Sequence, residues 1–162
     1  MTASDLARFQ DPLTIQRVLL SARTIAVVGL SGSALRASHF VGFYLQRHGY
    51  RLIPVNPRES AVLGERCYGS LLDVPGKVDI VNVFRAPSAL PEIATQAVAI
   101  GAGCLWTQFS VINEEGARIA EQAGLAVVMD RCIKVEHARY LGRMHWLGFN
   151  TNRITSVRGP LQ

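Results

Sequence analysis

The chain of 162 residues has few cysteines and few lysines, and both shortages narrow the classes of protein it can belong to. The three cysteines, an odd number without Cys-x-x-Cys spacing, supply neither a zinc ligand set nor a disulfide framework. Only two lysines accompany fifteen arginines, and these basic residues are scattered although the net charge is +5. A nucleic-acid-binding protein concentrates such residues on one face. The composition therefore fits a polyanionic small molecule, which suits the arginine fork, at least as well as nucleic acid.

Long apolar runs, repeats and low-complexity segments are also missing. No run approaches the roughly 20 apolar residues of a membrane span, and residues 1–12 lack the apolar core of a secretory signal. We therefore expect a cytoplasmic protein with no membrane partner. A chain of this length fits a single domain over residues 1–162, with a core at about 15–142 and a C-terminal extension at 143–162.

Short apolar runs alternate with segments of helical period along the chain. The predicted strands are Thr24–Val28, Arg51–Val55, Val78–Phe84, Cys104–Thr107 and Ala126–Met129. The predicted helices are Leu13–Ala22 with Thr14 as its cap, Ser38–His48, Pro91–Ile100, Glu114–Ala123 with Asn113 as its cap, and Lys134–Leu141. This alternation predicts a Rossmann-like three-layer α/β/α sandwich around a mainly parallel five-stranded sheet. Ligands of such folds bind beyond the carboxyl ends of the strands.

The most informative segment is the first strand, which ends in a turn of glycine and serine before the next helix. Glycines let the backbone approach an anion, and the first N–H groups of the following helix point at it with the positive end of the helix dipole. The segment therefore predicts a seat for a diphosphate. The residues assigned to this seat are Gly29, Ser31, Gly32 and Ser33, with Arg36 neutralising charge and Ser38 capping the helix.

The end of the second strand indicates which nucleotide would bind. The dinucleotide fingerprint G-x-G-x-x-G is absent, and Asn56-Pro57-Arg58 stands where an acid would bind the ribose hydroxyls. Glu59 comes two residues too late for that role. An arginine here favours an additional ribose phosphate, as found in NADP and in coenzyme A, and both ligands remain open on this ground.

Motifs spread along the chain carry a resemblance to a known family. They include Ala26–Ser31, Val55–Pro57, Leu63-Gly64, Cys67-Tyr68, Ser70-Leu71, Val83–Arg85, Ala99–Ala102, Asn113–Glu115, Met129–Lys134 and Glu136-His137. In this order they resemble the small bacterial and archaeal CoA-binding proteins, whose domain is similar to the N-terminal CoA-binding domain of the succinyl-CoA synthetase α subunit. The family usually has a proline-rich first turn where Gly32–Leu35 stands here, and an asparagine where this chain has Asp130.

The resemblance implies coenzyme A or an acyl-CoA as the ligand. At the edge where ligands bind, Phe84 and Arg85 follow the third strand, where an aromatic loop covers an adenine and arginine stacks on it. Gln108 follows the fourth strand and is assigned to the pantetheine amides. The synthetase relatives phosphorylate through a histidine outside the equivalent domain, so binding without catalysis is expected here.

Two other functions remain alternatives. Arg58 and the glycine turn also fit an NADP-dependent oxidoreductase. A CoA-responsive regulatory protein, in which the basic segment Arg131–Arg143 contacts a partner, is the other. Cys132 and His137 are the one pair that resembles a nucleophile and its base, although they lie five positions apart in the sequence. Self-association is left open, with residues 146–158 as the segment that could pack on a neighbouring copy.

Overall fold

The computed structural model of the chain describes residues 1–141. The helices are α1 (Ala3–Ala7), α2 (Pro12–Ser21), α3 (Ala37–Arg47), α4 (Leu90–Ala99), α5 (Glu114–Gln122) and α6 (Ile133–Tyr140). The strands are β1 (Thr24–Val28), β2 (Arg51–Val55), β3 (Ala61–Val62), β4 (Glu65–Arg66), β5 (Ile80–Val83), β6 (Cys104–Thr107) and β7 (Ala126–Val128). The predicted extension at 143–162, with Arg143 and the segment 146–158, lies outside the described residues.

Five strands form one sheet in the order β2-β1-β5-β6-β7, and every neighbouring pair is parallel. The strands β3 and β4 form a separate antiparallel hairpin after β2. The chain crosses from β2 over β1 to β5, so the carboxyl ends of β2, β1 and β5 lie side by side. The predicted fold class is confirmed. Within residues 1–141, the helix α1, the small hairpin and the short 3-10 helices Leu71–Asp73 and Pro87–Ala89 were not predicted.

The two faces of the sheet carry separate apolar clusters. Ala26 and Val28 of β1 face α4 and α5, while Ile25 and Val27 face α2, α3 and α6. Successive side chains of a strand point to opposite faces, so a strand covered by helices on both sides is apolar throughout. This explains why β1 is buried at all five positions.

Local hydrogen bonds define where the elements begin. The carboxylate of Asp79 accepts from the amides of Arg23 and Thr24, at 2.8 and 3.0 Å, and fixes the start of β1. Asn113 caps α5 as predicted, by accepting from the amide of Gly116 at 2.9 Å. The predicted cap Thr14 is wrong, because α2 begins at Pro12 and Asp11 is its cap. Proline is favoured at the first position of a helix, so α2 begins at Pro12 and the residue before it is the cap.

The described part of the chain contains no helix that combines the length and apolar character needed to cross a membrane.

Candidate functional site

A cavity of about 540 Å³ lies at the carboxyl ends of β1, β2 and β5. Its lining brings together most of the residues that the sequence predicted. The lining residues, of which all but Ala37 and Glu59 were predicted, are Gly29, Ser31, Arg36, Ala37, Ser38, Asn56, Arg58, Glu59, Phe84 and Arg85. The predicted residues Gly32, Ser33, Pro57 and Gln108 do not line this cavity. The loop after each of the three strands contributes, so the cavity is built where parallel sheets place their ligands.

Gly29 turns the chain away from β1 and into the cavity wall. Its φ of +88° is one that residues with a side chain rarely adopt, and its amide donates to the carbonyl of Val55 at 2.8 Å. A Cβ atom at this position would lie 2.7 Å from the carbonyl oxygen of Phe84. Glycine is therefore required both by the turn and by the close approach of the loop after β5.

The amides of the loop are engaged with side chains of the protein. The amide of Ser31 donates to the hydroxyl of Ser38 at 3.0 Å, and that of Ser33 donates to the hydroxyl of Ser31 at 3.1 Å. The amide of Gly32 donates to the carboxylate of Glu59 at 3.2 Å. Serine hydroxyls thus stabilise the conformation of the loop. The carboxylate of Glu59 accepts from the amide of Gly32, which the sequence predicted to bind an anion.

Ser38 does not cap the helix, which corrects the prediction. The N-cap of α3 is Arg36, whose side chain makes no capping hydrogen bond, and Ser38 lies inside the first turn. Its hydroxyl points back to the loop because Ser31 stands over the start of α3. His39 adds a second link, since its Nδ1 atom lies 2.9 Å from the carbonyl oxygen of Ser31. The loop is therefore tied to the helix by two side chains.

Asn56 links the loop after β2 to the loop after β1. Its side-chain nitrogen donates to the carbonyl of Leu30 at 3.0 Å, and its side-chain oxygen accepts from the amide of Arg58 at 2.9 Å. This second bond folds the chain into an Asx turn that carries Arg58 to the cavity. Pro57, the middle residue of the turn, is exposed and does not line the cavity.

Three guanidinium groups give the cavity a positive character. Arg36, Arg58 and Arg85 are all exposed and come from three different loops. In residues 1–141 every ion pair involves some other cation, so no carboxylate neutralises these three by direct contact. Phe84, next to Arg85, is half-buried and packs on the apolar cluster beneath α3. The lining thus combines cations with one aromatic edge.

Gln108 lies apart from this cavity, at the end of β6. It is buried, its side-chain oxygen accepts from the amide of Ile133 at 3.0 Å, and its side-chain nitrogen lies 3.6 Å from the sulfur of Cys132. Cys132 is the N-cap of α6 and makes no capping bond itself. Gln108 therefore accepts a hydrogen bond from an amide in the first turn of α6, which the side chain of the cap residue would otherwise accept.

Cys132 and His137 are not joined by a hydrogen bond in the described residues. His137 is buried, and its Nδ1 atom lies 2.9 Å from the hydroxyl of Tyr44. Burial, and to a lesser degree the nearby His48, lower the pKa of His137 to about 4. The imidazole of His137 is therefore buried, and its Nδ1 atom is engaged with a tyrosine on another helix.

Asp130, the acid where the resemblance implies asparagine, organises the loop after β6. It adopts a positive φ of 59°, and its carboxylate accepts from the amide of Ser110 at 2.7 Å. The following Arg131 donates to Gln10 at 2.9 Å and lies 3.9 Å from the carboxylate of Glu136. Both side chains are engaged within the protein, and neither lines the cavity.

The sequence analysis gave Glu59 no place in the site. Its distance from β2 argued against binding of ribose hydroxyls, but the structure places its carboxylate on the cavity lining, against the loop after β1. The signal available in the sequence was an acid three residues beyond a proposed ligand contact. The contact itself joins residues 27 positions apart and is visible only in the folded chain.

Comparison with known proteins gives a family and several relatives. A family model described as a CoA binding domain matches residues 23–138. The uncharacterized protein YneT of Bacillus subtilis is 42% identical over 124 residues, which cover 76% of this chain and 92% of that protein. A solved structure of a hypothetical protein from Pyrococcus horikoshii is 39% identical with a TM-score of 0.77, over 80% of this chain and 91% of that one.

An ADP-forming acetate–CoA ligase of Archaeoglobus fulgidus is more distantly similar. It is 28% identical over 116 residues, which cover 70% of this chain. The matched region makes up 17% of the ligase. This chain is therefore similar to a small part of that enzyme.

Proposed function

Because the chain belongs to the family of CoA binding domains, we propose that it binds coenzyme A or an acyl-CoA in the cavity at the carboxyl ends of β1, β2 and β5. The observation that carries this proposal is the convergence of three arginines and a glycine–serine loop on one cavity. Coenzyme A bears a diphosphate and a 3′-phosphate, and arginine suits both because its fork matches phosphate oxygens.

The loop after β1 and the start of α3 take the diphosphate in this proposal. The loop lies where the positive end of the α3 dipole favours an anion, and Arg36 adds a full charge beside it. The hydroxyls of Ser38, Ser31 and Ser33 already accept hydrogen bonds from amides of the loop, so we assign these serines to its shape. The amide of Gly32 and the guanidinium of Arg36 are the direct contacts.

In this proposal, Arg58 and Arg85 bind the nucleotide part of coenzyme A. Arg58 stands after β2, where related folds hold the ribose, and its charge suits the 3′-phosphate. Arg85 and Phe84 form the edge after β5, and a planar guanidinium beside an aromatic ring can stack on adenine. Asn56 fixes the turn that presents Arg58 and is assigned a positioning role.

Gln108 stays our proposed contact for the pantetheine arm. It follows β6, the neighbour of β5 in the sheet, so an arm leaving the cavity across β5 would pass it. Its side-chain oxygen is engaged with Ile133. The partner of its side-chain nitrogen within residues 1–141 is the sulfur of Cys132 at 3.6 Å, a weak acceptor, and we assign this nitrogen to an amide carbonyl of the ligand.

We propose binding without catalysis, in the cytoplasm. Cys132 and His137 make no hydrogen bond with each other in the part of the chain that the structure describes, and His137 is held by Tyr44. The matched region is 17% of the acetate–CoA ligase, so we carry over the ligand and not the reaction of that enzyme.

Calorimetric titration of the full chain with coenzyme A, 3′-dephospho-CoA, NADP and NAD tests the proposal. We expect coenzyme A to bind, 3′-dephospho-CoA to bind more weakly, and NAD not to bind. Binding of NADP without binding of coenzyme A would replace this function by that of an NADP-dependent protein. Mass spectrometry of ligand released from the purified protein would identify any acyl group.

A further inference from the structure

The carboxylate of Glu59 lies on the loop amide that the proposed function assigns to a phosphate. The distance from the amide nitrogen of Gly32 to the nearer carboxylate oxygen is 3.2 Å. A Cβ atom built on Gly32 would lie 2.9 Å from both carboxylate oxygens. The acid therefore fills the space in front of Gly32 as well as bonding to its amide.

The engaged amides of this loop differ in how easily their partners can leave. The hydroxyls that accept from Ser31 and Ser33 belong to Ser38 and to Ser31 itself, so they are part of the loop and of α3. Glu59 comes from the loop after β2, 27 residues away, and its side chain is half-buried. A flexible side chain with its end in an open cavity can rotate out without unfolding the loop.

The carboxylate of Glu59 at the Gly32 amide resembles a phosphate group in its negative charge and in having two oxygen atoms that can accept hydrogen bonds. The amide of Gly32 can serve one anion at a time, and two anions in contact there would repel each other strongly. Arg36, Arg58 and Arg85 line the same cavity, so a ligand with several phosphates brings enough charge to replace a single carboxylate.

We propose that Glu59 determines the affinity and selectivity of this site. Its carboxylate accepts from the amide of Gly32 in the free protein, and a phosphate of the ligand must displace it to bind there. This inference rests on the proposed function. A ligand with a diphosphate displaces Glu59 and binds, whereas one without phosphate gains nothing at Gly32. The acid thereby weakens the binding of every ligand that places a phosphate at Gly32.

Titration of wild type, Glu59→Gln and Glu59→Ala with coenzyme A tests this role. We expect both variants to bind about tenfold more tightly, since a hydrogen bond to a charged group no longer has to be broken. Pantetheine, which has no phosphate, should show no gain. Glu65→Gln is the matched control, because it removes the same charge from an exposed position on β4, outside the cavity lining, and should leave the affinity unchanged.

Salt separates direct displacement from a long-range charge effect. The Debye length falls from about 10 Å at 0.1 M salt to about 4 Å at 0.5 M. The affinity ratio between Glu59→Gln and wild type should therefore persist at 0.5 M NaCl. A ratio that falls to one at high salt would show that only the charge of Glu59 matters, and would overturn the inference.

Gly32→Ala locates the phosphate independently of Glu59. Its backbone does not lie at positive φ, so alanine is tolerated by the chain, and its methyl group fills the position in front of the amide. We expect Gly32→Ala to weaken binding of coenzyme A by tenfold or more in the Glu59→Ala background as well. Unchanged affinity in that background, with an unchanged melting temperature, would mean that no phosphate uses this position.

The outcomes also separate the two proposals. If neither wild type nor any Glu59 variant binds coenzyme A, the proposed function fails. If wild type binds coenzyme A and the Glu59 variants bind equally or more weakly, the function stands and the role of Glu59 is overturned.

Discussion

The hydroxyl of Tyr44 lies 2.9 Å from Nδ1 of His137 and joins α3 to α6. His137 is also edge-on to the rings of Tyr44, His48 and Tyr50, with centroids 5.0–5.5 Å away. It is 5% exposed, and burial lowers its pKa to about 4. The imidazole is therefore a neutral, buried part of the contact between the two helices.

This burial predicts that acid destabilises the protein. The pKa of His137 is about 4 in the folded state and about 6.5 when unfolded, so below pH 6.5 the unfolded chain binds a proton that the folded chain does not. Stability then falls as the pH falls. We expect the free energy of unfolding, from urea titrations, to drop by about 2 kcal/mol between pH 7 and pH 5 through this residue.

His137→Gln removes the titration and provides the check. The variant should be less stable at pH 7, and its stability should change much less between pH 7 and pH 5. An equally steep loss of stability in His137→Gln would show that other groups cause it.

Asn82 is a buried polar residue whose replacement we expect to stabilise the protein. It lies in β5 between Val27 and Trp106 of the neighbouring strands, and it is fully buried. Neither polar atom of its side chain has a hydrogen-bond partner in residues 1–141. An unsatisfied buried group costs about 1–3 kcal/mol, so Asn82→Leu should raise the free energy of unfolding by that order, measured in urea.

Thr107 is the matched case in which a buried polar group is satisfied. Its hydroxyl donates to the carbonyl of Val111 at 2.6 Å and accepts from the amide of Asp130 at 3.1 Å. Thr107→Val leaves both backbone groups without this partner and should lower stability by about 1–3 kcal/mol. A lower stability of Asn82→Leu would show that the unsatisfied amide does not destabilise β5, and an unchanged or higher stability of Thr107→Val would show that its two hydrogen bonds do not stabilise the fold.

Gly29→Ala tests the geometry of the cavity wall. The methyl group meets the carbonyl of Phe84 at 2.7 Å, and the φ of +88° is unfavourable for alanine. We expect a loss of about 1–3 kcal/mol of stability, measured by thermal unfolding, and weaker binding of coenzyme A. Gly64→Ala has a similar positive φ with no atom near the added group, and should show the smaller loss.

Arg58→Ala tests which phosphate this residue contacts. We expect about tenfold weaker binding of coenzyme A and little change for 3′-dephospho-CoA, because a single charged hydrogen bond is worth about 1.5–3 kcal/mol. Arg66→Ala removes an exposed arginine that lies over the ring of Tyr68, outside the cavity, and is the control. Equal losses for both ligands would assign Arg58 to the diphosphate or to the shape of the loop.

Much of the fold could be predicted because its signals are local. The strand Cys104–Thr107 has the predicted bounds, and Asn113 caps α5 because an asparagine before an acidic first turn is a signal within four residues. The helix α1 was missed because its five residues bury no side chain and show no apolar period. The hairpin β3–β4 pairs only two residues on each side, too few for a pattern.

The roles of individual side chains were harder to predict. Ser38 fits a cap by position, yet its hydroxyl bonds to Ser31, and Gln108 bonds to the start of α6 at a separation of 25 residues. Such partners are chosen by which loops meet at the sheet edge. A pattern along the chain records which residues are buried, but it does not record which distant group a polar side chain will face.

The sequence by itself determined the order of strands and helices, the place of the glycine turn after β1 and the family resemblance, because each depends on neighbouring residues or on ordered motifs. Only the tertiary structure decided that Glu59 lies on Gly32, that Asn82 is buried without a partner in residues 1–141, and that Cys132 and His137 are not joined by a hydrogen bond there. The physical reason is that the parallel crossovers bring together the ends of strands that are far apart in the chain. The chemistry of the cavity therefore depends on contacts that form only when the sheet is assembled.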